Sequence, residues 1–205
     1  MRLGIFGGTF DPPHIGHLIL AMEAYEQLKL DKVLWVIAPN PPHKLGKLIT
    51  AIDQRIEMVK KAIDDDPMFE FSWVDINRAG PHYVLDTMLL LHMDYPRDSL
   101  IYLMGGDSLR DLPTWHKPAE FIAQCNEIGV MRRPGEIFDL SHLKKEFPTI
   151  ERKVKFIEAP LLEISSHKIR SMVYQKKPFR YYLPEGVYKQ IIKFGLYQIK
   201  EAAQE

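Results

Sequence analysis

Residues 2 to 20 constrain this chain more than any other stretch. A short apolar run, with Leu3, Ile5 and Phe6, suits a strand that stops at Gly7-Gly8. Thr9-Phe10-Asp11-Pro12-Pro13 then leads into His14-Ile15-Gly16-His17. The glycine pair permits positive φ or a close approach of backbone to ligand. Pro12 and Pro13 are tolerated ahead of a helix or in its first turn, but not inside one. From Ile15 onward Leu18, Met22, Tyr25 and Leu28 recur at helical spacing. His14 and His17, three apart, share one face at the start of that helix. A helix N-terminus offers free N–H groups and the positive end of a dipole, which is where phosphates bind. A glycine loop alone is common, and a single histidine is more often a satisfied polar residue than a catalyst. Two histidines in the first turn after Gly-Gly favour a phosphate site.

The rest of the chain repeats this alternation of strand and helix. Lys32–Ile37 reads as a nearly all-apolar strand, as expected of one covered on both faces. With the first strand and helix it predicts a parallel βαβ unit with a right-handed crossover. It runs into Pro39-Asn40-Pro41-Pro42-His43-Lys44, at the strand edge where open α/β sheets bind ligands. Prolines stiffen that loop, so Asn40, His43 and Lys44 are candidates for ligand contact; the alternative is a rigid solvent loop. Thr50-Ala51-Ile52-Asp53 resembles a capping box opening a helix through Ile63. Asp64-Asp65-Asp66 at its end reads as a solvated terminus rather than a metal site. Phe69 to Ile76 predicts a strand, and Tyr83 to His92 a helix with Leu85, Met88, Leu89 and His92 inward.

Ser99 to Met104 predicts another strand, ending in Gly105-Gly106-Asp107. Asp107 is read either as an acceptor for ribose hydroxyls or as a helix N-cap. Trp115, between Pro113 and Pro118, is either an anchor or a platform for a flat ring. Ile128 to Met131 is a further strand running into Arg132-Arg133, suited to clamping phosphate. Val154 to Ile157 is the last. Ile164-Ser165-Ser166-His167-Lys168-Ile169-Arg170 then opens a helix with serine caps and nearby cations, a second helix start suited to phosphate. Pro184 to Phe194 predicts a final helix closed by Gly195. The pattern defines an α/β fold, a doubly wound, mostly parallel sheet, as a single domain over 1–205. The helical part 165–199 completes the phosphate site.

Composition excludes several classes. Lys+Arg and Asp+Glu are 27 each, which removes the electrostatic footprint of a nucleic-acid binder. The one cysteine, Cys125, rules out an internal disulfide framework and a cysteine zinc site, and suits a buried thiol in the strand running to Met131. No run approaches a membrane span, and no leader is visible, so a cytoplasmic setting is expected. Neither a dinucleotide G-x-G-x-x-G nor a P-loop follows the first strand.

Gly7 to His17 together with Ile164 to Arg170 resembles the nucleotidylyltransferase superfamily, with its HxGH and ISSTxIR signatures. The blocks at Pro39 to Lys44, Tyr83 to Thr87, Gly106-Asp107 with Trp115, and Arg133 to Gly135 make it most similar to bacterial nicotinate mononucleotide adenylyltransferases. The resemblance implies a Rossmann-like fold and transfer of the adenylyl group of ATP to nicotinate mononucleotide, with Mg²⁺ carried on the ATP phosphates and no protein-held metal. It implies catalytic roles for His14, His17, Lys44 and Arg170. It assigns ATP to Gly7, Gly8, Thr9, Phe10, His14, His17, Gly106, Asp107, Arg133, Ser165, Ser166, Ile169 and Arg170. It assigns the mononucleotide to Asn40, His43, Lys44, Tyr83, Val84, Asp86, Thr87 and Trp115. His167 replaces a hydroxyl residue of the second signature, and His82 and Val84 replace Ser and Thr beside Tyr83. Rival expectations are a related adenylyl- or cytidylyltransferase with another acceptor, a class I aminoacyl-tRNA synthetase, which shares the literal His14-Ile15-Gly16-His17, and a non-catalytic nucleotide sensor. Neither nucleic acid nor membrane is an expected partner, and homo-oligomerisation is left open.

Overall fold

The computed structural model describes residues 1–40, 49–64, 66–132, 139–160 and 162–198. In chain order these form β1 (Arg2–Gly8), α1 (Ile15–Gln27), β2 (Lys32–Ile37), α2 (Ile52–Ala62), β3 (Phe69–Ser72), α3 (Val84–Asp94), β4 (Ser99–Gly105) and α4 (Gly106–Asp111). There follow α5 (Pro118–Gln124), β5 (Glu127–Arg132), α6 (Ser141–Glu146), α7 (Ile150–Lys153), β6 (Val154–Glu158), α8 (Ser166–Tyr174) and α9 (Glu185–Phe194).

The six strands pair in the order β3-β2-β1-β4-β5-β6, each pair parallel. The chain leaves β1 toward one edge and returns to β4 on the other side of β1. The crevice at the C-terminal ends of β1 and β4 is therefore the topological switch point, where doubly wound sheets bind ligands. Alternation along β1 serves both faces. Leu3 and Ile5 enter the core under α3 and α5, whereas Phe6 enters the core under α1 and α2 with Trp35, Ile56 and Val59. A third cluster joins Met58 of α2 to Ile169, Phe179, Leu183, Val187 and Ile191, and so docks the C-terminal helices on the sheet domain. Among the described residues no helix is long and apolar enough to cross a membrane.

Ala21 and Ala24 lie on the buried face of α1 while Met22 is exposed, because small side chains let the helix lie close on the sheet. Several expectations are corrected. In α3, Leu91 rather than Leu89 faces inward. The strand from Phe69 ends at Ser72, where the chain turns with Ile76 and Asn77 N–H groups on the Trp73 carbonyl. Thr50 is not a capping residue: the N-cap of α2 is Ala51, with no side-chain cap. The backbone of Thr50 is instead bonded to Asp11 and Arg55. Cys125 lies at the end of α5, not in β5; burial pushes its thiol up to about 12, which leaves it an inert core group.

Candidate active site

A cleft of about 860 Å³ opens over the switch point. Gly7, Gly8, Thr9, His14 and His17 line one part of it; Gly106, Asp107, Tyr83, Val84, Thr87, Trp115 and His116 line another. The two glycines do not supply positive φ, since both are extended residues of β1. They give room instead: a Cβ at Gly7 would stand 3.1 Å from the Tyr102 hydroxyl, and one at Gly8 2.8 Å from the Phe10 ring. The loop turns at Phe10, which takes φ 48°.

Phe10 is 2% exposed and packs against Phe6, His17 and Trp35. Its ring is core beneath the loop, which leaves its main chain for the expected contact with ATP. The Ile169 side chain is likewise fully buried, in the C-terminal cluster. Asp107 is the second residue of α4, and Gly105 is the N-cap, so the capping alternative is not met. Its exposed carboxylate lines the cleft and pairs with Arg110.

The first turn of α1 explains its motif. The His14 N–H donates to His17 Nδ1 at 3.1 Å, so that ring carries its proton on Nε2 and is a donor there. The two imidazoles stack, with centroids 3.7 Å apart. His14 also lies over Gly16, where a Cβ would stand 3.0 Å from Nδ1; a side chain there would displace the ring. His14 is 6% exposed, and its Nδ1 has no hydrogen-bond partner among the described residues. Burial lowers its pKa from 6.5 to about 4, so the ring is neutral at pH 7.

The start of α8 sits against this turn. Ser165 is the N-cap, accepting the Lys168 N–H. Ser166 Oγ donates to the Pro12 carbonyl at 2.8 Å, and Arg170 Nη1 to the Asp11 carbonyl at 2.6 Å. Ser166 and Arg170 hold two helix starts side by side, and Ile164, just ahead of them, lines the cleft. Asp11 is the meeting point. Its carboxylate accepts the Thr50 N–H at 3.1 Å and the Tyr197 hydroxyl at 2.7 Å. Burial and that carboxylate push the Tyr197 hydroxyl well above its usual range.

Beneath lies Arg55, 2% exposed. Its guanidinium donates to the carbonyls of Thr9 at 3.1 Å, Ala38 at 2.9 Å, Pro39 at 2.7 Å and Thr50 at 2.9 Å. One cation thus sets the exits of both β1 and β2. Nothing in the periodicity of α2 marks it, apart from an arginine on the face shared with Met58 and Val59.

At the other end Trp115 is half-buried against Phe121 and Tyr102 and presents a wall to the cleft. Tyr83 stacks on His116 with centroids 4.0 Å apart. Val84 opens α3, whose first turn leaves N–H groups without intrahelical partners. Asp86 does not line the cleft and faces Arg78 at 3.8 Å. Asn40 is exposed and away from the cleft. His43, Lys44 and Arg133 lie outside the described residues. Asp75, Arg78 and His116 were not among the expected site residues; only their place in the fold reveals them.

A doubly wound sheet with paired helix starts at its switch point defines a nucleotide-binding protein. Residues 5–172 match the family model described as Cytidylyltransferase-like. The chain is 44% identical over 201 residues to the Probable nicotinate-nucleotide adenylyltransferase of Thermomicrobium roseum, covering 98% of this chain and 94% of that protein. It is 39% identical over 197 residues to the nicotinate-nucleotide adenylyltransferase of Bacillus subtilis, covering 96% and 98%. The fold is similar to that of Plasmodium falciparum nicotinic acid mononucleotide adenylyltransferase complexed with NaAD, with TM-score 0.78, 20% identity, and 97% and 98% of the two chains covered. The chain belongs to the cytidylyltransferase-like family, in its nicotinate-nucleotide adenylyltransferase branch.

Proposed function

We propose that this chain transfers the adenylyl group of ATP to nicotinate mononucleotide, giving deamido-NAD and pyrophosphate. The observation that carries this reading is one cleft with the stacked His14–His17 pair, His14 neutral, at the start of α1 and the start of α3 beside Trp115 at its other end. A phosphate oxygen of the mononucleotide attacks the α-phosphorus of ATP. The bond from that phosphorus to the β-bridging oxygen breaks, and pyrophosphate leaves with the electron pair. The attacking group is already an anion, so no general base is required, and catalysis is positioning and charge stabilisation.

In this scheme His17 donates from Nε2 to the ATP phosphates, and His14 supplies a polar edge whose Nδ1 has no partner among the described residues. Charge builds on oxygens as pyrophosphate departs, and preorganised donors in a buried site act most strongly there. Gly7 and Gly8 let the nucleotide approach the backbone, and Asp107 takes ribose hydroxyls. Ser165 caps α8, and Ser166 and Arg170 hold that helix start in register with the start of α1. Trp115 flanks the pyridine ring, and main-chain N–H groups around Tyr83 receive its carboxylate. Thr87 contributes through its bond to Asp75.

Among the described residues no three His, Cys, Asp or Glu side chains gather into a metal site. They do not form a cage for Mg²⁺, and in this reading the ion arrives on the ATP phosphates as part of the substrate. Roles for Lys44, His43 and Arg133 in gripping phosphate, and a cytoplasmic setting, belong to the same proposal. Pyrophosphate release from ATP, measured with nicotinate and nicotinamide mononucleotides side by side, tests it. A kcat/KM favouring the nicotinate form supports the reading. No turnover with either, despite ATP binding, overturns it.

A further inference from the structure

The connection between β3 and α3 carries an ion pair, Asp75 with Arg78, whose arginine this scheme leaves unused. Asp75 is 5% exposed, and its carboxylate accepts Arg78 Nε at 2.8 Å and the Thr87 hydroxyl at 2.9 Å from each oxygen. With Nε held, the other two nitrogens of the fork turn to the loop. Nη1 donates to the Pro81 carbonyl at 2.9 Å and Nη2 to the Tyr83 carbonyl at 3.3 Å. His82 Nε2 lies 3.3 Å from the Arg78 carbonyl, so that ring is folded into the same turn.

A trans peptide is planar, with its N–H opposite its C=O. Drawing the Pro81 and Tyr83 carbonyls toward Arg78 turns the His82 and Val84 N–H groups the other way. Both residues line the cleft, beside Tyr83, which stacks on His116. The Tyr83 carbonyl is also the first acceptor of α3, taking the Thr87 N–H at 3.2 Å, so its orientation is shared by the whole helix start. An arginine fork holds the Asp75 carboxylate and two carbonyls in fixed directions from three separate nitrogens, whereas a lysine offers all its donors from one rotatable nitrogen.

We infer that Arg78, held by Asp75 and Thr87, is a positioning residue for the acceptor: it aims the main-chain donors that receive the pyridine carboxylate. This rests on the proposed function, because it concerns the acceptor end of the same cleft. It also accounts for His82 and Val84 standing where hydroxyl residues are usual, since recognition then passes through the backbone and not through side-chain hydroxyls.

Steady-state kinetics of Arg78→Gln test it, with both substrates varied. The KM for nicotinate mononucleotide should rise about tenfold, equivalent to ~1.4 kcal/mol, while the KM for ATP stays within about twofold. The preference for nicotinate over nicotinamide mononucleotide should fall in proportion. Arg78→Lys should behave like Arg78→Gln; restoration of the normal KM by lysine would overturn the fork argument. Equal change in both KM values, or in neither, would reduce Arg78 to a structural residue. If Arg78→Gln does not fold, Thr87→Val, which removes one hydroxyl from the cluster, should show the same acceptor-only shift at about two- to fivefold. Its absence is equally fatal to the inference. A normal chain that turns over no mononucleotide would refute the proposed function itself, a result distinct from variants that behave like the normal chain.

Discussion

The His14 ring should refuse a proton until the solution is strongly acidic, and should accept one more readily once phosphates arrive. Its imidazole is 6% exposed, stacked on His17, with no acid beside it to stabilise a cation. The drop from 6.5 to about 4, at about 1.4 kcal/mol per pH unit, makes the protonated ring about 3 kcal/mol less compatible with the fold than the neutral one. Between these values the unfolded chain binds a proton that the folded chain does not. Stability from this group is therefore complete above pH 6.5 and declines as the pH falls toward 4. Imidazole proton resonances followed from pH 8 to 4, with His14→Gln to assign the ring, should show His14 titrating about two pH units below an ordinary histidine. With a non-hydrolysable ATP analogue bound, the polyphosphate favours the charged form, and the titration should move up. Binding near pH 5.5 should then take up protons, seen calorimetrically as a heat that depends on the ionisation enthalpy of the buffer. A ring titrating near 6.5 without ligand would refute burial as the controlling factor. No upward movement with ligand would refute the ring's place at the phosphates.

Three further outcomes are expected. His17→Ala removes the Nε2 donor and should lower kcat by about 10²–10³, as for loss of an oxyanion-type donor; a loss below tenfold with folding intact would sink that role. Trp115→Ala should raise the KM for the mononucleotide more than that for ATP, and equal effects on both would make it only an anchor for Phe121 and Tyr102. Arg55→Met leaves four buried carbonyls without their donor and should destabilise the protein by about 3–5 kcal/mol. Urea unfolding would register this as a lower midpoint at unchanged slope, and a change under about 1 kcal/mol would contradict the bracing role.

What could be read from the chain alone depended on whether a residue's role was local. Lys32–Ile37 was legible as a strand because a run covered on both faces is apolar throughout. Ser165 was legible as an N-cap because capping is decided within four residues. The spacing of Leu18, Met22, Tyr25 and Leu28 marked α1 as a helix but not its buried face, since close packing on the sheet selects Ala21 and Ala24. Thr50 failed as a cap because its backbone is claimed by Asp11, 39 residues earlier in the chain, and by Arg55 within α2. The histidine pair was visible, but the burial that keeps His14 neutral is a property of the assembled cleft. Arg55, Arg78 and Tyr197 carry no local signature, since each works by bridging segments that only the fold brings together.

Asp11 gives the assembly of this site a timetable. Its partners Thr50, Arg170 and Tyr197 lie 39, 159 and 186 residues further along the chain. At roughly 5–20 residues per second, the last of them leaves the ribosome about 10–40 seconds after the aspartate. A nascent chain can complete its six strands while the loop that presents His14 still lacks two of these three anchors. Nucleotide capture is thereby coupled to the arrival of the C-terminal helices. A truncated chain would retain the sheet and lose the grip.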